Sequence, residues 1–156
     1  MTEDDLKVFV VGTSRYFERV SKHSAQISTP FLKGPSEDVM YDFAAVIGVT
    51  GSQRGCVYYT APRDMVSELV TNLGEEDAAD DELLADYIGE IANTISGNAR
   101  EGLGSGFMIS VPVVLAQFHE VRFPQETPAF VIPIVWKNHR SALIICLKDG
   151  ERIRVQ

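Results

Sequence analysis

The stretch GEIANTISGNA, from Gly89 to Ala99, lies in a pattern that is typical of a long helix. Its apolar residues recur every three to four positions, as they do in a helix that buries one face. A rotation of about 100° per residue gathers four apolar side chains into one stripe. These are Leu84, Ile88, Ile91 and Ile95. We predict a helix from about Asp81 to Glu101 that packs this stripe against a sheet.

The polar residues of this helix fall on the side opposite the stripe. They are Asp86, Glu90 and Asn93, with Gly97 and, one turn later, Arg100. Glu90 and Asn93 are three residues apart and are therefore neighbours on the helix surface. Glycine weakens a helix by about 1 kcal/mol relative to alanine, so Gly97 indicates close approach of another backbone or a ligand. Spacing alone also fits an ordinary solvated face, with Gly97 and Asn98 in a frayed helix end.

The segments around this helix predict the other elements. Residues from Thr2 to about Lys22 follow a helical pattern that begins with an N-cap residue and three acids. Pro62 opens a short helix that ends near Leu73. Apolar runs on both sides of a glycine-bounded turn predict a hairpin before the short helix, and the last apolar runs of the chain predict two or three more strands.

The two halves of the chain show the same order of elements. Each half has a helix, then an extended segment with a proline, then a hairpin with a basic residue in its turn. The match is one of pattern and not of residues. We predict one domain over residues 1–156, with an α+β two-layer fold and two pseudo-two-fold half-domains. Its long helices pack on one face of a mostly antiparallel sheet.

Composition limits the classes of function. The 156 residues include 14 Lys and Arg against 22 Asp and Glu, which gives a formal net charge of −8. This charge argues against a nucleic-acid partner, which needs a basic surface, and against an anionic membrane surface. The N-terminus MTEDDLK has no apolar signal core, and no apolar run approaches the ~20 residues that span a bilayer. We therefore expect a soluble cytoplasmic protein.

The residue types that bind metals or act as nucleophiles show no spacing typical of a site. Cys56 and Cys146 each lie in an apolar run and are expected to be buried, reduced thiols. The histidines, among them His119 and His139, have no partners at metal-ligand spacing. Ser105 lacks the full GxSxG motif, and GLGSG lacks the lysine of a phosphate-binding loop, so these glycines are interpreted as a helix stop. We predict no metal bound by this chain.

GEIANTISGNA resembles the signature of the CheC/CheX/FliY phosphatases of bacterial chemotaxis, in which Glu-x-x-Asn is followed by glycine and a small residue. Here the motif is Glu90-Ile91-Ala92-Asn93, then Gly97-Asn98-Ala99. VIGVTGSQRGCVYYTAP is similar to the hairpin before the family's short helix, and ISVPVVLAQ to its proline-containing strand. Only Glu90 is followed by asparagine three residues later, whereas Glu18 in the first helix is followed by Ser21. One motif per chain resembles CheX.

The resemblance implies a function, a partner and roles for individual residues. The family acts on a phosphorylated response regulator similar to CheY, whose aspartyl phosphate lies with Mg²⁺ in the regulator's own pocket. No cofactor of this chain is therefore expected. Asn93 is expected to hold the attacking water, and Glu90 to pair with a lysine of the regulator. The expected partner-binding residues are Asp86, Gly97, Asn98 and Arg100. The resemblance to CheX also implies a homodimer.

Two other functions stay open at this point. The chain also fits a binding module that docks a response regulator or a motility component without hydrolysis. The presence of both Glu90 and Asn93 favours the phosphatase over this module. A small-molecule sensor domain is supported only by the two-layer fold.

Overall fold

The structure is a computed structural model that describes residues 1–35, 37–74, 79–116, 123 and 126–150. Within these ranges the chain forms three helices and eight strands. In chain order they are α1 (Glu3–Ser21), β1 (Ala25–Ile27), β2 (Phe31–Leu32), β3 (Phe43–Gly51), β4 (Gln53–Ala61), α2 (Arg63–Asn72), α3 (Asp81–Leu103), β5 (Phe107–Ile109), β6 (Val113–Ala116), β7 (Phe130–Trp136) and β8 (His139–Asp149). All three predicted helices are present. The helix stop predicted at GLGSG is confirmed, since Gly104 follows α3 with a φ of 99°.

The strands form one antiparallel sheet with the order β1-β7-β8-β4-β3-β5. The short strand β2 also pairs with β7, and β6 also pairs with β3. The hairpins β3–β4 and β7–β8 meet at the centre through β4 and β8. Each hairpin is flanked on its outer side by two short strands from the other half of the chain. From either edge of the sheet, two short strands come first, and the two strands of a hairpin follow. This repeated arrangement confirms the α+β fold with two related halves.

The helices pack on one face of the sheet and share the larger core with it. The stripe predicted on α3 is buried there, with at most 1% of each side chain exposed. Each fully buried leucine or isoleucine contributes roughly 1.5–3 kcal/mol relative to an exposed one. The opposite face of the sheet carries a smaller apolar cluster that includes Tyr58, Ile144 and Cys146. The amphipathic pattern of α3 thus decides which of its sides remains available to a partner.

Polar contacts fix both ends of α1. The Thr2 hydroxyl accepts a hydrogen bond from the Asp5 amide, and the Thr2 amide donates to the Asp5 carboxylate, each at 3.1 Å. This reciprocal pair is a capping box. At the other end, the Trp136 indole donates to the Ser21 hydroxyl at 2.9 Å, and Ser21 donates to the Phe17 carbonyl at 2.6 Å. Ser21 is at the position that would hold asparagine in a second motif beginning at Glu18. It is instead a buried residue that hydrogen-bonds Trp136 in the core.

The two cysteines differ in burial. Both are free thiols, and Cys146 is buried as expected. Cys56 is only half-buried, so the expectation that both are buried is wrong for this residue. Its strand presents Cys56 on the sheet face that carries the smaller cluster, where fewer side chains cover it. In the part of the chain that the structure describes, no helix is long and apolar enough to cross a membrane.

Candidate functional site

Glu90 and Asn93 are both exposed on the outer side of α3. They are three residues apart, which places their Cβ atoms about 5–6 Å from each other. The helix is continuous from Asp81 to Leu103, and the Asp80 side chain caps its start by accepting from the Glu82 amide at 3.0 Å. Because the backbone groups around the motif are used by the helix, only the side chains are free to act. The helix therefore holds a carboxylate and a carboxamide at a fixed spacing.

The two glycines of the motif stretch have different surroundings. A Cβ atom built on Gly89 would lie 3.0 Å from Val114 Cγ2 and 3.6 Å from Pro112 Cγ, so this glycine lets α3 pack closely on β6. A Cβ atom on Gly97 would have no atom within 4 Å. Gly97 therefore leaves an open step on the surface, one turn after Asn93. The sequence predicted this absence of bulk at Gly97 but not the packing role of Gly89.

Glu90 lies beside a buried tyrosine of α1. Tyr16 is 6% exposed, and its pKa is raised above the ordinary value, chiefly by burial and then by the neighbouring Tyr59 and Glu90. Desolvation disfavours the charged phenolate, as it does for any buried acid. The Tyr16 hydroxyl is therefore neutral at physiological pH, and it adds no negative charge next to the Glu90 carboxylate.

An apolar rim lies at the edge of the sheet that β5 and β6 form, and one of its residues contacts α3. We define the rim as Met108, Val111 and Val113, whose exposed fractions are 48%, 81% and 58%. Arg100, which is on the same flank of the helix as Asn93, approaches the rim with its Nη2 atom 3.9 Å from Met108 Sδ. Val113 is directly opposite Val46 of the smaller cluster, so it lies on the sheet face away from the helices, whereas Met108 is next to Arg100 of α3. The alternation of apolar and polar residues did not predict that these three side chains are exposed. Their exposure results from their position at the edge of the sheet.

Asn98 lies apart from the other predicted site residues. It is half-buried against α1, with its Nδ2 atom 3.5 Å from the Gly12 carbonyl oxygen. It lines a groove of about 350 Å³ between α1 and α3, together with Lys7, Arg15 and Arg19. The structure thus brings five predicted residues to one side of α3 and places Asn98 on another. The five are Asp86, Glu90, Asn93, Gly97 and Arg100.

The other polar candidates lie away from this surface. His139 Nε2 is hydrogen-bonded to the carboxylate of Glu68 of α2, and Lys137 Nζ lies 3.2 Å from the same carboxylate. The Glu68 pKa is lowered, first by the hydrogen bond with His139. Ser105 is exposed in the turn after α3, and His119 lies outside the described residues. Across the described ranges, no group of three or more His, Cys, Asp or Glu side chains is placed to hold a metal ion.

The family model of the chemotaxis phosphatase CheX matches residues 43–135, which include all of α3. The chain belongs to the CheX family. The resemblance inferred from GEIANTISGNA is thereby confirmed. A search of proteins with curated descriptions finds no significant sequence match.

Three solved CheX structures share this fold over 92–93% of the chain. CheX from Vibrio vulnificus superposes with a TM-score of 0.82 at 23% identity, over 93% of this chain and 99% of that one. CheX from Desulfovibrio desulfuricans gives 0.81 at 24% identity, over 93% and 99%. CheX in a CheX–CheY–BeF₃–Mg²⁺ complex from Borrelia burgdorferi gives 0.75 at 18% identity, over 92% and 97%. These superpositions show that the chain has the same fold as CheX, and α3 is part of that fold.

Proposed function

We propose that this protein accelerates hydrolysis of the aspartyl phosphate on a CheY-like response regulator. The observation that carries the proposal is the exposure of Glu90 and Asn93 together on α3, beside the open step at Gly97. Membership of a phosphatase family supports the type of reaction. The Borrelia burgdorferi structure contains CheY together with CheX, which supports the class of partner.

Asn93 is the proposed catalytic residue. Phosphoryl transfer passes through a loose transition state, so positioning and electrostatics supply most of the acceleration. A carboxamide can both donate to and accept from a water molecule. It does so without adding a negative charge near the phosphoryl group. Asn93 therefore holds the attacking water in line with the bond that breaks.

Glu90 has a binding role in this proposal. Its exposed carboxylate forms a charge-assisted hydrogen bond with a lysine of the regulator, and such bonds are about twice as strong as neutral ones. The pairing fixes the register of α3 in the regulator's active site. Because Asn93 is three residues away on a rigid helix, the same contact also places the carboxamide. The neutral Tyr16 hydroxyl leaves the charge of Glu90 available for this partner.

The surfaces around the motif supply the rest of the proposed contact. The open step at Gly97 admits loops of the regulator, and Asp86 and Arg100 contribute polar contacts on either side. Met108, which is next to Arg100, adds an exposed apolar contact with the regulator. Asn98 remains a predicted partner contact, and a partner reaches it only by also covering the groove between α1 and α3.

Further parts of the proposal rest on the family resemblance. The chain contributes no cofactor, because Mg²⁺ is expected in the regulator's own pocket. We also propose that the protein acts in the cytoplasm. A homodimer is expected as in CheX.

Dephosphorylation of purified regulators from the same genome tests the proposal. We expect phosphate release to accelerate when the protein is added. Glu90→Ala should weaken regulator binding and slow release, since a hydrogen bond to a charged group contributes roughly 1.5–3 kcal/mol. The matched control is Glu18→Ala, which removes an exposed glutamate of α1 outside the proposed contact and should leave both quantities near wild type. Binding of a regulator without faster release would favour the non-catalytic module.

A further inference from the structure

The two cysteines of the chain face each other across the centre of the sheet. Cys56 of β4 is directly opposite Cys146 of β8 in the strand register. Residues that are directly opposite in an antiparallel pair place their side chains on the same face. Both thiols accordingly belong to the smaller apolar cluster, on the face away from the helices. They are free thiols, 90 residues apart in sequence, that the fold brings together.

The hydrogen-bond pattern of the two strands sets the distance between these residues. The Gly150 amide donates to the Ser52 carbonyl at 3.1 Å, four residues from the cysteine pair on each strand. Hydrogen-bonded pairs recur at every second residue, and the register is unbroken over this stretch. Cys56 and Cys146 are therefore a hydrogen-bonded pair, with Cα atoms about 5.5 Å apart. This separation lies within the range of disulfides, roughly 4.4–6.8 Å.

A disulfide at this position would be strained. Opposite Cβ atoms in a sheet are about 4.5–5.5 Å apart, whereas a relaxed disulfide needs about 3.5–4.5 Å. The bond can form with a small local shift, because the strands already hold the residues side by side. Strained disulfides are more easily reduced than relaxed ones. The geometry therefore suits a bond that forms and breaks, and not a permanent crosslink.

The two thiols differ in access and in chemical environment. Cys56 is half-buried, so it is the thiol that a solute reaches first. Cys146 is fully buried, and its Sγ atom donates to the Thr127 carbonyl oxygen at 3.5 Å. Burial, and then the neighbouring Cys56, raise the pKa of the Cys146 thiol. One thiol is thus placed to react with an oxidant, and the other to resolve the product.

We propose that Cys56 and Cys146 are a reversible redox pair that hydrogen peroxide converts into an intramolecular disulfide. The Cys56 sulfur attacks one peroxide oxygen, the O–O bond breaks, and the products are a sulfenic acid and one water. The Cys146 sulfur then attacks the sulfenic sulfur, the S–O bond breaks, and the departing hydroxide leaves as a second water with the Cys146 proton. Both sulfurs are oxidised and the peroxide is reduced. Two equivalents of a small thiol restore the pair by exchange.

Peroxide treatment of the native wild-type protein tests the proposal. Free thiols are blocked with iodoacetamide after the reaction, and the protein is digested and analysed by mass spectrometry. We expect a peptide pair linked through Cys56 and Cys146, with a loss of about 2 Da that dithiothreitol reverses. Circular dichroism before and after treatment should show an unchanged fold. Cys56→Ser should abolish the link and leave Cys146 reduced, because Cys146 is buried.

Three results would contradict the proposal that Cys56 and Cys146 are a redox pair. One is oxidation of Cys56 to the sulfinic acid with no link to Cys146. The second is a crosslink between two molecules in place of the internal bond. The third is the recovery of both thiols unmodified at a peroxide dose that oxidises glutathione in the same solution. Each reading comes from the wild-type chain, so the conclusion does not depend on the folding of a variant.

Discussion

Gly97 lies one helical turn after Asn93 on the exposed side of α3, and a Cβ atom at Gly97 would meet no atom within 4 Å. The space beside the carboxamide of Asn93 is thus produced by a missing side chain, and not by a cavity in the fold. A continuous helix does not need glycine there, since the glycine costs about 1 kcal/mol relative to alanine. We therefore interpret the missing side chain at Gly97 as space for the partner that approaches Asn93.

Replacement of Gly97 should separate stability from activity. Gly97→Ala should raise the free energy of unfolding by about 0.5–1 kcal/mol, because alanine is the better helix former and its methyl group meets nothing. Gly97→Leu should also fold, but it should lower kcat/KM for regulator dephosphorylation by roughly tenfold or more, since about 1.4 kcal/mol of lost docking energy has that effect. Urea unfolding and phosphate release measure the two quantities.

Gly89→Ala is the matched control for this prediction. Its new methyl group would lie 3.0 Å from Val114 Cγ2, so the gain in helix propensity is offset by overpacking. We expect Gly89→Ala to be less stable than Gly97→Ala by about 1 kcal/mol. A Gly97→Leu variant with the wild-type rate would show that the open step is not used by the partner.

Replacement of two buried serines by alanine should change the free energy of unfolding in opposite directions. Ser96 on α3 is fully buried, and its hydroxyl has no hydrogen-bond partner among the described residues. Ser96→Ala should raise the free energy of unfolding by about 1 kcal/mol, since it removes an unpaired polar group from the core. Ser21→Ala should lower it by roughly 1–3 kcal/mol, because the buried Trp136 indole loses its acceptor.

Denaturant unfolding of the wild type and both serine variants checks this pair. A loss of stability in Ser96→Ala similar to that in Ser21→Ala would mean that the Ser96 hydroxyl is hydrogen-bonded in solution. The near-ultraviolet signal of the single tryptophan should change in Ser21→Ala and not in Ser96→Ala.

The contacts of Glu68 with His139 and Lys137 should make the free energy of unfolding depend on pH in the acid range. The pKa of Glu68 is lowered from its ordinary 4.5, first by the hydrogen bond with His139 and then by Lys137. The folded state therefore favours the ionised carboxylate, and the unfolded state binds more protons just below pH 4.5. This contribution is present above that pH and is lost as the pH falls through the folded-state pKa. In Glu68→Gln, the free energy of unfolding should fall less steeply as the pH is lowered through the acid range. Urea unfolding at a series of pH values measures this dependence, and the same dependence as in the wild type would contradict a lowered Glu68 pKa.

The parts of the fold that depend on local periodicity were predictable from the sequence. The start of α3 at Asp81 and its buried stripe follow from apolar spacing, and Glu90 and Asn93 are exposed as the same spacing predicts. The hairpins and the repeat of two halves follow from turn residues and element order. The family could be named because Glu90 and Asn93 lie on that helix in the expected order.

The parts that depend on contacts between distant segments were not predictable. Asn98 is close to Gly97 in sequence, but the packing of α1 on α3 places it in a groove. The pairing of Cys56 with Cys146 needs the register between β4 and β8, which no local pattern encodes. The hydrogen bond of His139 with Glu68 needs α2 to pack near the β7–β8 turn, and the sequence shows only that His139 ends a segment.

The most direct test of the central claim is the rate of dephosphorylation with Asn93→Ala. The substitution is on an exposed helical position, so stability should change by about 0.5 kcal/mol or less. We expect a fall in rate of roughly 10²–10³-fold, as when one positioned donor is removed from other enzymes. Affinity for the regulator with a stable phosphoryl mimic should largely survive, because a water-positioning contact acts mainly in the transition state.

The control is Asn72→Ala at the exposed end of α2, which should keep the wild-type rate. We expect Asn93→Ala to bind the phosphorylated regulator with near-normal affinity and to hydrolyse its aspartyl phosphate slowly. Hydrolysis by Asn93→Ala at the wild-type rate would contradict it, and α3 would then be a docking surface without a catalytic residue at position 93.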